Sequence, residues 1–224
     1  MALVVKFQAV IFDLDGTLLN TLEDLADSMN AVLQELQFAT HPPDSYRYFV
    51  GDGIRTLAKR VLPAGCQDEG LIDLVVQRMS SEYDKRWRVK SRPYAGIEEL
   101  LESLTQSGVL IAVLSNKPDS FTQIMVPALL PGRRFSQVLG ARAGVPVKPD
   151  PRAALEIAAN LGLAPEKILY VGDTATDMLT ANAAGMVAVG VAWGFRSVDE
   201  LLEYGAQSII GYPAELLDLM GIKA

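Results

Sequence analysis

From residue 97 to its end the chain alternates short apolar runs with stretches of helical period, and this pattern limits the fold more than any other feature. Val109 to Leu114, Lys167 to Val171 and Val187 to Val191 read as buried strands; Gln137 to Gly140 and Ser208 to Ile210 are weaker ones. Between them lie helical patterns at Ile97 to Gln106, Asp119 to Leu130, Pro151 to Leu161, Asp177 to Ala184, Val198 to Tyr204 and Ala214 to Leu219. Gly162 stands where a left-handed residue ends a helix. Strands separated by helices imply crossover units, hence a parallel sheet. A further strand, Val10-Ile11-Phe12, lies near the start and belongs to the same sheet. The expected class is α/β, a doubly wound, Rossmann-like parallel core.

Residues 20 to 90 carry no strong strand signal. Leu22, Leu25, Met29, Val32, Leu33 and Leu36 recur at spacings of three and four, with Thr21 placed to cap their helix. His41-Pro42-Pro43 breaks it. After Gly51 and Gly53 a second amphipathic stretch runs through Ile54, Leu57, Ala58 and Val61. A third, from Glu69 to about Arg88, places Leu71, Leu74, Val75, Met79 and Tyr83 on one face. The expected division is therefore an α/β core, 1–18 and 93–224, interrupted by an all-helical insertion, 19–92.

The strand at Val10 ends in Asp13-Leu14-Asp15-Gly16-Thr17. Residues two apart on a strand point the same way, so Asp13 and Asp15 are expected to converge where open α/β sheets bind ligands. Two such charges call for a cation or a shared proton. Alone, the stretch reads equally as an acidic turn. Three other segments also fall at strand ends. Ser115-Asn116-Lys117-Pro118 offers a hydroxyl and amides at a helix start, suited to phosphate or to simple capping. Val147-Lys148-Pro149-Asp150-Pro151 mounts a Lys on a stiff backbone. Gly172-Asp173-Thr174-Ala175-Thr176-Asp177 supplies two more carboxylates, suited to a hard hexacoordinate cation such as Mg²⁺ or to helix capping.

Composition narrows the chemistry. Cys66 and His41 are each alone, which excludes an intrachain disulfide, a cysteine zinc site and the usual Ser-His-Asp or Cys-His logic. With Lys+Arg 20 against Asp+Glu 27, a net charge of -7 and no basic run, no nucleic-acid partner is expected. No span reaches membrane length and no signal-peptide pattern opens the chain, so no membrane partner and a cytoplasmic location are expected.

Taken together, these four motifs resemble those of the haloacid dehalogenase-like hydrolase superfamily, and the helical insertion resembles its C1 cap. Phe49-Val50-Gly51-Asp52-Gly53, Ser115-Asn116-Lys117-Pro118 and Val191-Ala192-Trp193-Gly194 are most similar to the phosphoglycolate phosphatase group. The resemblance implies a Mg²⁺-dependent phosphomonoester hydrolase, monomeric or homodimeric, acting on a small phosphorylated metabolite such as 2-phosphoglycolate or a sugar phosphate. It implies Asp13 as nucleophile and Asp15 as general acid and base. Metal ligands would be Asp13, the Asp15 carbonyl and Asp173, with Asp177 holding a water or orienting its neighbours. Gly16, Thr17, Ser115, Asn116 and Lys148 would bind phosphate. Asn20-Thr21 stands where that family often has Asp-Ser, and no catalytic role is expected to depend on it.

Substrate choice is expected to lie in the cap, at Gly51 and Arg55, with Arg47 and Lys59 nearby. Tyr83, Trp87 and the Met residues are expected to pack helices. Trp193 fits either the rim of the site or the core, and His41 an exposed loop. A sugar phosphomutase uses the same motifs. A receiver-type phosphoaspartate module is disfavoured by Asp15 and by the helical insertion.

Overall fold

The computed structural model describes residues 7–222; residues 1–6 and 223–224, assigned above to the core, lie outside them. In chain order the elements are β1 (Ala9–Phe12), β2 (Leu19–Asn20), α1 (Leu22–Glu35), α2 (Tyr46–Phe49), α3 (Ile54–Val61), α4 (Glu69–Arg86) and β3 (Arg92–Pro93). They continue with α5 (Ile97–Gln106), β4 (Leu110–Pro118), α6 (Asp119–Leu129), β5 (Gln137–Ala141), α7 (Arg152–Leu161) and β6 (Ile168–Gly172). The last are α8 (Ala175–Ala183), β7 (Val187–Val191), α9 (Val198–Glu203), β8 (Ser208–Ile210) and α10 (Glu215–Met220).

The main sheet has the order β5-β4-β1-β6-β7-β8, all parallel. β1 is its centre, paired with β4 on one side and β6 on the other. All four β1 residues are buried, as a strand covered on both faces requires. Its pleat divides them. Val10 and Phe12 share a core with α5, α6 and α10; Ala9 and Ile11 share the other with α7 and α8. Strand order reverses beside β1, which places the carboxyl ends of β1, β4 and β6 at the usual ligand crevice of such sheets.

The helices of residues 22–86 pack on one another, α4 against both α1 and α3. The buried stripe of α4 is Ile72, Val75, Met79 and Tyr83, which leaves Leu71 and Leu74 only half-buried. These helices sit over the crevice as a cap: Leu25, Ile54, Leu57 and Met79 line one cavity with Asp13, Ser115 and Lys117. The two connections between cap and core run side by side as an antiparallel pair, Leu19 opposite Pro93 and Asn20 opposite Arg92. The buried Asp24 carboxylate ties them further by accepting from the backbone N–H of Lys90 and Ser91 and from the Ser91 hydroxyl. His41 is half-buried instead of loop-exposed. Its ring meets Phe49 and Tyr46 edge-on, and Nε2 lies 2.9 Å from the Val61 carbonyl. Among the described residues no helix is long and apolar enough to cross a membrane.

Candidate active site

β1 ends at Phe12, so the chain has left the strand when it reaches the first carboxylate. Asp13 and Asp15 still line one cavity, but they serve different clusters. Asp13 joins Asp173 and Asp177, whose carboxylate oxygens lie within 4.8 Å of one another, all buried. Asp15 stands outside that group.

Lys148 organises the first cluster. Its Nζ lies 2.9 Å from Asp13 Oδ1 and 2.7 Å from Asp177 Oδ1, and it donates to the Leu114 carbonyl at 3.2 Å. Burial alone would lower this ammonium's pKa, but Asp13 and Asp177 raise it, so it stays charged. The far oxygen of Asp177 accepts from the Thr174 N–H and hydroxyl in a capping box. Asp177 thus both caps α8 and fixes Lys148.

Asp173 is held by Thr17 Oγ1 at 3.0 Å and by the Phe195 N–H at 2.8 Å. The backbone approaches it closely. A Cβ on Gly16, at φ +88°, would sit 2.2 Å from Asp173 Oδ2, and one on Gly194 would sit 2.1 Å from its Cβ. Only glycine fits either place. Thr17, expected to bind phosphate, is instead fully buried with its hydroxyl on Asp173. Gly16 likewise makes room for Asp173. Burial pushes Asp13 up to about 7, against the pull of Lys148 and with the repulsion of Asp177. Burial and then the neighbouring Asp177 and Asp13 push Asp173 up as well.

The second cluster surrounds Asp15. Lys117 Nζ lies 2.9 Å from both carboxylate oxygens, and Thr21 Oγ1 donates to Oδ1 at 2.6 Å. Thr21 therefore does not cap α1 with its side chain, and the Asn20-Thr21 position bears on Asp15 after all. The Tyr83 ring lies under Lys117, 4.6 Å from Nζ to centroid, and lines the cavity. Lys117 and Tyr83 are the groups sequence reasoning missed. Lys117 stood inside a motif read for its hydroxyl and amides, and Tyr83 followed a helical period that predicts packing.

Ser115 lines the cavity and is buried. Asn116 is also there, but its side chain braces two loops: Nδ2 donates to the carbonyls of Gly51 and Lys148, and Oδ1 accepts from the Lys148 N–H. This leaves its backbone, not its amide, for a ligand. Gly51 lines the cavity. Arg55 does not. It lies on the exposed side of α3, paired with Glu69 and Asp73 of α4, because two carboxylates one helix away compete better for it than the apolar cavity. Trp193 donates from its indole to the Thr17 carbonyl at 3.0 Å and packs on the core.

A model of the haloacid dehalogenase-like hydrolases matches residues 10–191. The phosphoglycolate phosphatase of Mannheimia succiniciproducens is 35% identical over 197 residues, covering 85% of this chain and 88% of that protein. That of Haemophilus influenzae is 30% identical over 221 residues, covering 96% and 99%. A solved structure from Lactobacillus delbrueckii subsp. bulgaricus superposes with a TM-score of 0.90 at 29% identity, covering 96% of this chain and 98% of that one. A haloacid dehalogenase-like family hydrolase from Streptococcus pneumoniae gives 0.85 at 26% identity, covering 96% and 98%.

Proposed function

The chain belongs to the haloacid dehalogenase-like hydrolase family and is a phosphatase, and from that premise we propose that it hydrolyses a small phosphate monoester of the 2-phosphoglycolate kind through phosphorylated Asp13. The observation that carries this reading is the separation of two carboxylates in one cavity: Asp13 against Lys148, Asp15 against Lys117 and Thr21. A nucleophile and a proton carrier need such different surroundings.

Three buried carboxylates facing one ammonium leave excess negative charge, and all the donors are oxygen. That set fits a hard divalent cation such as Mg²⁺, held by Asp13 and Asp173, while Asp177 orients Lys148. When bound, such an ion offsets the repulsion between Asp13 and a phosphate.

Lys148 holds the Asp13 carboxylate in place at the cavity floor. An Asp13 oxygen bonds to phosphorus as the bond to the alcohol oxygen breaks, and Asp15 gives that oxygen its proton. Asp15 then takes a proton from water, whose oxygen attacks phosphorus, releasing inorganic phosphate and restoring Asp13. Ser115 and the amides after it hold the phosphoryl oxygens during both transfers.

The test separates the two roles. Asp13→Asn is expected to form no phosphoprotein with any substrate. Asp15→Asn is expected to give a burst of aryl alcohol from an aryl phosphate, then turnover slowed about 10²–10⁴-fold, the usual worth of general-base help. Rapid quench with intact-protein mass reads both. Phosphate on the Asp13→Asn protein would refute the assignment.

A further inference from the structure

The cavity between cap and core encloses about 60 Å³, and its cap-side wall is apolar, formed by Leu25, Ile54, Leu57 and Met79. Among the described residues lining it, Lys117 is the one cation. The others near the cap are engaged elsewhere: Arg47 on the Gly194 carbonyl, Arg55 on Glu69 and Asp73, Lys59 on Glu69, Arg60 on Asp52, and Arg196 on the Val50 carbonyl and Glu200. The geometry assigns recognition of a second, anionic group on the substrate to Lys117, seated on the Tyr83 ring. This assignment deepens the phosphatase reading and rests on it.

Lys117 can take this role without releasing Asp15. An ammonium has three N–H groups: two are directed at the Asp15 oxygens, and the third, which also faces the Tyr83 hydroxyl, is the one a bound anion would take. The ring face below supplies attraction without using a donor. Lys117 is bonded to the carboxylate that faces the leaving oxygen, so an anion it holds must lie only a few bonds from that oxygen. The apolar wall sets the other limit. Sugar hydroxyls pressed against Leu57 and Met79 would lose water and find no partner there, which is costly. The substrate class that fits is a short phosphate ester with a carboxylate one or two carbons from the ester oxygen. Sugar phosphates are disfavoured.

The experiment compares kcat/KM for 2-phosphoglycolate and ethyl phosphate, which share a two-carbon frame and differ in the carboxylate. Wild-type protein is expected to favour 2-phosphoglycolate. Lys117→Met is expected to slow both, because Asp15 loses its partner, and also to cut the ratio about 10–100-fold, the worth of one charge-assisted contact. Tyr83→Phe keeps the ring and should keep the ratio. Tyr83→Leu should lower it chiefly through KM for 2-phosphoglycolate, and this variant decides the matter if Lys117→Met does not fold. An unchanged ratio in the folded variants, with equal losses on both substrates, would show that Lys117 only supports Asp15 and would overturn the assignment. Hydrolysis of ethyl phosphate without preference for 2-phosphoglycolate in the wild type would overturn it too, leaving the phosphatase reading intact. Release from neither substrate, nor from an aryl phosphate, would overturn both.

Discussion

Asp13, Asp173 and Asp177 are buried together with one ammonium, and that imbalance has a consequence for stability. Burial raises Asp13 to about 7 and Asp173 in the same direction. Their unfolded counterparts titrate near about 4. Between those values the folded protein binds protons that the unfolded chain has released, so without a divalent cation its stability falls as pH rises from about 4 to about 7. A divalent cation held by these carboxylates, as proposed, would replace the protons. Thermal unfolding with Mg²⁺ and with chelator should therefore diverge more at pH 8 than at pH 5, with Mg²⁺ giving the higher Tm. A cation-induced shift that is the same at both values would count against a metal held by these carboxylates. Residue types and strand ends made Asp13, Asp173 and Lys148 legible as a cluster in the sequence. The partners of Asp15 were not legible in the same way. Thr21 sits where a helix cap belongs, and Lys117 is remote in sequence from the carboxylate it meets. A hydroxyl at a helix start does not reveal which acceptor it will choose.

At the scale of elements, the 50–53 loop joins cap to core through side chains from three places. Asn116 donates to the Gly51 carbonyl, Arg196 to the Val50 carbonyl, and Thr176 to Asp52 Oδ1 at 2.6 Å. Burial works to raise the Asp52 carboxylate, but Thr176 and Arg60 outweigh it and hold it lowered. Asp52→Ala should cost about 1–2 kcal/mol of stability, as charge-assisted contacts at a half-buried site do. Amide exchange should quicken across the loop and remain slow in β1. Equal acceleration in both would mean the substitution loosened the whole fold instead of this joint. The long helices were readable because their apolar period persists over several turns, and β4, β6 and β7 because they are continuous apolar runs. The β2–β3 pair left no such trace. Two residues have no period, and one of the four is a proline.

Over the whole molecule, the alternation after residue 97 led to the parallel sheet because crossover geometry leaves little choice. The pattern held no information on which strands flank β1, since pairing depends on contacts far apart along the chain. Those distances matter for assembly. The residues facing β1 in β4 and β6 lie a hundred positions and more downstream, whereas α1 through α4 all meet within residues 22–86. Local contacts form sooner than distant ones. Trp87 at the end of α4 and Trp193 beside Thr17 can report the two regions separately after Trp→Phe substitution of the other. On refolding, the Trp87 signal should recover first, and phosphatase activity should return with Trp193. Activity regained in step with Trp87, ahead of Trp193, would disprove this order. Asp13 follows a strand whose two neighbours lie a hundred residues and more further along, so every turnover comes from a chain whose distant half has already come home.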